Sequence, residues 1–223
     1  MIKPLSLPKY YANVRMVSGM QEVYYIGGSP CCGKSSIAEM LAVNHGLEYY
    51  KADDHLLAHM KLAAQDGRAH SKNALTLGNE QMWMRNPHIQ KDEAVLIYRE
   101  IFPYVMQDIC AIHTGKPIIA EGAGFMPELM RATDIDRHQY ICVVPTEAFQ
   151  RQKYAERAWI KEFLSGCSNQ ELAFHNWMSR DALFAKHVYG QAQQIGYSAI
   201  VVDGNRTIAD NCEAIAKHFG LLG

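Results

Sequence analysis

The chain has almost no excess of charge of either sign. Its 223 residues include 22 Lys and Arg against 23 Asp and Glu, which gives a formal net charge of −1 at pH 7. Proteins that bind nucleic acid or anionic membranes nonspecifically carry a clear cationic excess, so neither partner is expected here. Any polyanion that binds this chain must therefore be held by a small local site.

Signals for secretion, membrane insertion and disulfide bonding are also missing. Residues 1–20 interleave Lys, Pro, Tyr and Arg with apolar side chains and contain no run long enough for a signal peptide or a membrane helix. The 6 cysteines lack paired CxxC spacing, so neither a zinc site nor a disulfide framework is expected. We therefore expect a cytoplasmic protein, and 48% apolar with 20% charged residues indicates an ordinary globular fold.

Predicted strands alternate with predicted helices along the chain. One helix follows the first strand and ends at Gly46, and a long one covers 89–113 with an interruption at Pro103. Helices also cover 146–194 with a break near 165–166, and Thr207 is the predicted N-cap of a last helix. This alternation predicts a doubly wound α/β fold with a parallel sheet. The predicted strands are 22–28, 47–50, 117–120, 140–144 and 199–202.

The most specific motif joins the first strand to the first helix. Residues 28–35 read GSPCCGKS and fit the phosphate-loop pattern G-x-x-x-x-G-K-S/T. In such a loop, backbone N–H groups and the helix N-terminus face a phosphate. Lys34 is expected to span the β- and γ-oxygens of ATP and Ser35 to bind Mg²⁺. The residues expected to contact the triphosphate are Gly28, Ser29, Pro30, Cys31, Cys32, Gly33, Lys34, Ser35 and Ser36.

With this loop, a second strand followed by ADDHL and a third ending in IIAEG, the chain resembles the small P-loop kinases. That group includes adenylate kinase-like enzymes, shikimate and gluconate kinases, chloramphenicol phosphotransferase and polynucleotide kinase. The resemblance implies a single three-layer α/β/α P-loop domain over 1–223, with a five-stranded parallel sheet. It also implies a helical acceptor-side insert over 55–92 and lid-like helices over 147–195. The core would then comprise 21–54, 93–146 and 196–223.

The resemblance further implies that an Asp after the second strand accepts the proton of the attacking hydroxyl, and Asp53 matches that position, with Asp54 beside it. Phosphoryl transfer to an alcohol needs mainly alignment, charge neutralisation and a nearby carboxylate. The C-terminal edge of a parallel sheet places such a carboxylate beside the phosphate loop. The alternative role is capping of the helix that starts near His55, which Asp54 alone would satisfy.

Glu121 follows the third predicted strand at the same sheet edge. Many P-loop proteins carry Asp there, so we expect Glu121 to act in the Mg²⁺ shell through water, or on a substrate hydroxyl. The alternative is a polar turn residue. Lys34, Asp53, Glu121 and Arg157 are the predicted catalytic residues, and Ser35 and Glu121 the predicted metal site.

The resemblance also implies lid arginines that close over the triphosphate, and the candidates are Arg151, Lys153, Arg157 and Arg180. A solvated helix face is the alternative for all of them. The loop after the fifth strand would line the adenine, through Asn205 and Arg206, unless these residues only form a turn.

The insert would hold the acceptor. Arg68, Lys72, Trp83 and Arg85 are candidates for binding an anionic or aromatic molecule, although Trp83 is more commonly a core residue. A redox switch at Cys31 and Cys32 is the weaker interpretation of the adjacent cysteines.

These residues predict an ATP- and Mg²⁺-dependent kinase for a small hydroxyl- or phosphate-bearing molecule, acting as a monomer or homodimer. A dinucleotide site is disfavoured because the glycines do not form GxGxxG. A regulatory GTPase would carry an N/T-K-x-D signature, which is absent, and a polynucleotide 5'-hydroxyl kinase would need a basic stripe. A regulatory NTP-binding or ATPase protein without phosphotransfer stays open.

Overall fold

A computed structural model describes residues 21–133 and 135–222. Five parallel strands form one sheet in the order β2-β3-β1-β4-β5. The predicted α/β class and the five-stranded parallel sheet are therefore confirmed. The strands are β1 (Val23–Gly28), β2 (Glu48–Lys51), β3 (Ile118–Glu121), β4 (Tyr140–Pro145) and β5 (Ser198–Val202).

Helices cover both faces of this sheet. One face carries a core in which Phe102 and Ile109 pack with Val188, and the other carries a core in which Leu41 packs with Ile215. Strands enclosed in this way are apolar along their whole length, as β1 and β4 are. The helices are α1 (Lys34–His45), α2 (Leu56–Gln65), α3 (Ala69–Ala74), α4 (Asn79–Trp83), α5 (Pro87–Cys110), α6 (Pro127–Arg131), α7 (Glu147–Ala155), α8 (Trp159–Phe163), α9 (Gln170–Ile195) and α10 (Ile208–His218).

A third, smaller core lies among α4, α7, α8 and α9. We call it the tryptophan cluster, and its members are Trp83, Tyr154, Ile160, Leu164, Cys167, Ala173, Trp177 and Met178. The rings of Trp83 and Trp177 stack with their centroids 4.5 Å apart, and Asn176 Nδ2 donates a 3.0 Å hydrogen bond to the carbonyl of Trp83. The segment after β2 and the segment after β4 therefore meet through a shared apolar core.

The helices differ from the sequence prediction in three places. Helix α5 continues through Pro103, where an interruption was expected. Proline normally weakens a helix by removing an N–H donor, but Pro103 and its neighbours Phe102 and Val105 are buried against the sheet, and this packing keeps the helix continuous. The 146–194 region has a second break between α7 and α8. The five-residue helix α6 was not expected, because it is too short for a periodic pattern.

The remaining helix predictions agree with the structure. Gly46 ends α1 in the left-handed conformation, and Thr207 caps α10 by accepting a hydrogen bond from the N–H of Asp210. Within the described ranges, no helix has both the length and the apolar character needed to cross a bilayer.

Candidate active site

The phosphate-loop motif forms a tight turn between the centre of the sheet and α1. Gly28 has φ 128°, and a Cβ at this position would lie 1.8 Å from the carbonyl oxygen of Val143 in β4, so only glycine fits. Cys31 and Gly33 also have positive φ values, of 65° and 82°. For Cys31 this conformation costs on the order of 1 kcal/mol. When positive and negative φ values alternate along a turn, successive backbone N–H groups point to one side and form a concave site for an anion.

Lys34 is the first residue of α1, and its side chain is buried. Its Nζ donates a 2.8 Å hydrogen bond to the carbonyl of Ser29 inside the loop. Burial lowers the pKa of Lys34, but the charges of Cys32, Asp53 and Glu121 raise it, and the net direction is upward. The ammonium is therefore charged, and it lies close to two carboxylates. The hydroxyl of Ser29 is buried and has no partner within the described chain.

Ser35 and Glu121 meet beside this lysine. Ser35 Oγ donates a 2.9 Å hydrogen bond to Glu121 Oε1, and the hydroxyl of Tyr49 donates to the same oxygen at 3.2 Å. Burial raises the pKa of the Glu121 carboxyl, and the nearby Lys34 opposes that shift. The second oxygen, Oε2, is buried without a hydrogen-bond partner in the described residues. A hydroxyl and a carboxylate with one unpaired oxygen are the hard oxygen ligands that Mg²⁺ prefers, so these residues fit the ion.

Asp53 lies at the same edge of the sheet, in a short 3₁₀ helix over Ala52–His55. Its Oδ1 accepts a hydrogen bond of 3.2 Å from the N–H of Ala123, and its side chain is exposed. Gly122 makes this approach possible, because a Cβ there would lie 2.8 Å from Ala52 Cβ and 3.2 Å from Asp53 Oδ1. The loop after β3 thus holds one oxygen of the carboxylate and leaves the other oxygen accessible.

The structure does not show the capping role considered for these two aspartates. Helix α2 begins after His55 without a side-chain cap, and Asp54 instead pairs with Lys51 at 2.9 Å on the surface. Asp53 is therefore free of a capping contact, while Asp54 belongs to an exposed ion pair.

The lid candidates separate into two groups. Arg151 pairs with Glu147 at 2.8 Å and Lys153 with Glu156 at 2.9 Å, which is the solvated arrangement expected of an ordinary helix face. Arg157 follows α7, is exposed, and lies 5.0 Å from the centre of the Tyr154 ring. Burial raises the pKa of the Cys31 thiol and the charge of Arg157 lowers it, so this guanidinium lies near the phosphate loop.

Arg180 does not lie on a solvated face. Its Nε is 2.8 Å from Asp181 Oδ1, and its guanidinium is 5.1 Å from the centre of the Trp83 ring. Asp181 is completely buried, and the Tyr154 hydroxyl donates to its Oδ2 at 2.8 Å. Arg180 therefore packs against the tryptophan cluster.

The loop after β5 is a tight turn beside the phosphate loop. Asn205 donates to the carboxylate of Asp203 through its backbone N–H and its side chain, and Arg206 Nη2 donates to the carbonyl of Asp210. These contacts match the turn alternative. Ile208 Cδ1 lies 2.7 Å from a Cβ built on Gly33, so this loop adjoins the phosphate loop where adenine contacts were expected.

The acceptor-side candidates occupy different environments. Trp83 is a buried core residue, and Arg85 forms an ion pair with Glu93 in which both ends of the guanidinium bind the carboxylate, at 2.8 and 2.7 Å. Arg68 and Lys72 are exposed and do not line the cavity that Trp83 and Arg85 border.

Sequence reasoning missed several residues around the site. Tyr49 contacts Glu121, Tyr98 lies near Asp53, and Trp177 stacks on Trp83. All three are aromatic residues in apolar patterns, which a sequence does not distinguish from ordinary core. Asp181 had one usable signal, since it is a charged residue on the apolar face of α9.

No family model and no curated protein matches the sequence. Among solved structures, the chain is similar to a candidate kinase from Chloroflexus aurantiacus, with 13% sequence identity over 89% of this chain and 98% of that one and a TM-score of 0.40. It is also similar to a gluconokinase from Sinorhizobium meliloti, with 11% identity over 91% of this chain and 93% of that one and a TM-score of 0.42.

Proposed function

We propose that this protein is an ATP- and Mg²⁺-dependent phosphotransferase that phosphorylates a hydroxyl group of a small molecule. One observation carries the proposal: the Lys34 ammonium, the Ser35–Glu121 pair and the Asp53 carboxylate lie together at the carboxyl edge of the sheet, around a phosphate loop. Ligands of open parallel α/β sheets bind at this edge.

The loop and Lys34 would bind the triphosphate. Backbone N–H groups of the loop contact phosphate oxygens, and Lys34 leaves the Ser29 carbonyl to bind the β- and γ-oxygens. Ser35 and Glu121 would hold Mg²⁺, which when bound neutralises charge on the phosphate oxygens. Because Lys34 is buried, its charge acts with little screening by water.

Asp53 would orient and deprotonate the acceptor. Its accessible oxygen accepts the hydroxyl proton while the hydroxyl oxygen bonds to the γ-phosphorus and the bond from that phosphorus to the bridging oxygen breaks, which releases ADP. The hydrogen bond from Ala123 keeps the other carboxylate oxygen in place, so the base does not have to be reoriented during the reaction. Arg157, which follows α7, would contact the transferring phosphoryl group.

Turnover assays on the wild-type protein and two variants test this proposal. ADP release is measured with ATP, Mg²⁺ and a panel of hydroxylated metabolites, nucleosides and antibiotics. Asp53→Asn is expected to lower acceptor-dependent turnover by about 100-fold or more while ATP still binds. Lys34→Ala is expected to weaken ATP binding in calorimetry while the melting transition persists.

Asp54→Asn is the matched control, because Asp54 is only in an exposed pair with Lys51. The proposal fails if no acceptor stimulates ADP release, or if Asp53→Asn turns over as fast as wild type. Unchanged ATP affinity in Lys34→Ala would contradict the role of the loop.

A further inference from the structure

A cavity of about 310 Å³ lies between α2, α4, α5 and α9. We infer that it binds the acceptor, and that the acceptor is a predominantly apolar alcohol and not a polyol, a sugar acid or a nucleotide. This inference rests on the proposed phosphotransfer and specifies its substrate class.

The wall of the cavity is mostly apolar. Half-buried side chains from the insert and from α5 form most of it, namely Leu56, Met60, Leu77, Met82, Ala94 and Ile97. Trp83 and Trp177 add their stacked indoles on one side. A surface of this kind contributes binding free energy by removing apolar ligand area from water, and it offers the several hydroxyls of a sugar few hydrogen-bond partners.

Three of the polar residues that line the cavity contact other protein groups. Arg85 binds the carboxylate of Glu93 through both ends of its guanidinium, and Arg180 Nε lies 2.8 Å from Asp181. Gln90 Nε2 donates a 2.7 Å hydrogen bond to the carbonyl of Arg85. An anionic acceptor that bound Arg180 would have to displace Asp181 and leave this buried carboxylate without its partner, which is costly.

The cavity lies beside the segments that carry and hold the proposed base. Leu56 is three residues from Asp53 and lines the cavity, and the Tyr98 ring lies 3.3 Å from a Cβ built on Gly124, in the loop that holds Asp53. Burial and then the charge of Asp53 raise the pKa of Tyr98, so its hydroxyl stays protonated near that carboxylate. The reacting hydroxyl of an apolar ligand would therefore lie at the end of the cavity lined by Leu56 and Tyr98, on the side of Asp53.

The volume limits the size of the acceptor. An apolar cavity of about 150 Å³ holds benzene, so about 310 Å³ accommodates two fused rings with a short side chain. We therefore choose 2-naphthaleneethanol as the probe, with sorbitol and gluconate as polar comparisons that also carry primary hydroxyls.

Binding and transfer are measured separately. Calorimetry without nucleotide should detect 2-naphthaleneethanol and neither sorbitol nor gluconate. In the presence of ATP and Mg²⁺, 2-naphthaleneethanol should stimulate ADP release, and mass spectrometry should detect its phosphate ester. Sorbitol and gluconate should give neither result.

Ala94→Phe fills the cavity and should weaken binding of the probe by at least about 10-fold, whereas Ala58→Phe, on the exposed part of α2, should leave it unchanged. Melting curves for both variants establish that each is folded.

The outcomes distinguish the two proposals. If sorbitol or gluconate is phosphorylated and the probe does not bind, the apolar acceptor class is wrong while phosphotransfer stands. If the probe binds in an Ala94-dependent way and no alcohol in either assay is phosphorylated, phosphotransfer is wrong. Equal loss of probe binding in Ala94→Phe and Ala58→Phe would show that the probe does not occupy this cavity and would also overturn the inference.

Discussion

Ser35 Oγ donates a 2.9 Å hydrogen bond to Glu121 Oε1, across 86 residues of sequence. The bond connects the start of α1 to the end of β3. Because Tyr49 donates to the same oxygen, Oε1 is paired with protein groups and Oε2 is the oxygen left without a partner among the described residues. The carboxylate is thereby oriented before any ligand binds.

The first prediction concerns the charge of Glu121 in the absence of metal. Burial raises its pKa above the ordinary value of 4.5, so the stability that the protonated carboxyl contributes is lost as the pH rises through the folded-state pKa. Glu121→Gln keeps the shape without the charge. In EDTA, the melting temperature of Glu121→Gln should rise relative to that of wild type as the pH increases from 4.5 toward neutral.

The same Glu121→Gln substitution should lower turnover, although it raises stability relative to wild type near neutral pH. With Mg²⁺ and acceptor, Glu121→Gln should be slower than wild type by about 100-fold or more, because the amide does not replace a carboxylate at a metal. Glu39→Gln, on the exposed side of α1, is the matched control. A melting difference that stays flat with pH would contradict the buried-charge argument.

Gly122→Ala tests the position of Asp53. The added methyl would lie 3.2 Å from Asp53 Oδ1 and 2.8 Å from Ala52 Cβ, so the aspartate must shift. A displacement of a few tenths of an ångström should lower turnover by about 10-fold, with little change in ATP affinity. Gly190→Ala, inside α9 with nothing within 4 Å, is the matched control and should raise stability by about 1 kcal/mol at unchanged turnover. Full activity in Gly122→Ala would show that the Asp53 position is unimportant.

The Arg157→Ala variant tests whether Arg157 stabilises the transferring phosphoryl group or is only a surface residue. The guanidinium lies over the Tyr154 ring near the phosphate loop, so its loss should lower kcat by about 100-fold or more and change the KM for ATP by only a few-fold. Lys153→Ala removes an exposed ion pair with Glu156 and should have little effect on either constant. Similar kcat values for the two variants would contradict a specific role for Arg157.

Slow alkylation is expected at Cys31. Burial raises the pKa of its thiol from 9.0 to about 11, so the thiolate fraction at pH 7.5 is about 100-fold smaller than for an unshifted thiol. Iodoacetamide labelling, followed by mass spectrometry of the loop peptide, should be correspondingly slow and should accelerate toward pH 10. A rate at pH 7.5 equal to that of glutathione would instead favour the redox interpretation of Cys31 and Cys32.

The parts of the site that depend on consecutive residues were predictable from sequence. The phosphate loop is complete within residues 28–35, and its flanking strand and helix lie where the motif requires them. The sequence also placed Asp53 and Glu121 at strand ends, but it did not reveal the hydrogen bonds that hold them. These bonds span 70 and 86 residues and depend on the order of strands in the sheet, which no local pattern encodes.

The charges around this cavity were not predictable for a related reason. Arg68, Lys72 and Arg85 are basic residues in one segment, and together they suggest an anionic ligand. In the folded chain Arg85 is neutralised by Glu93 from the next helix, while Arg68 and Lys72 are exposed away from the cavity. Tertiary pairing, and not composition, therefore determines which charges border the cavity.

The tryptophan cluster links the two segments that flank the site. Because Trp83 stacks on Trp177 and Asn176 binds the Trp83 carbonyl, separating α4 from α9 exposes both indoles and breaks that hydrogen bond. Segments that share buried contacts unfold locally as one unit. The amide hydrogens of α4 and of the facing turns of α9 are therefore expected to exchange with solvent at a common rate.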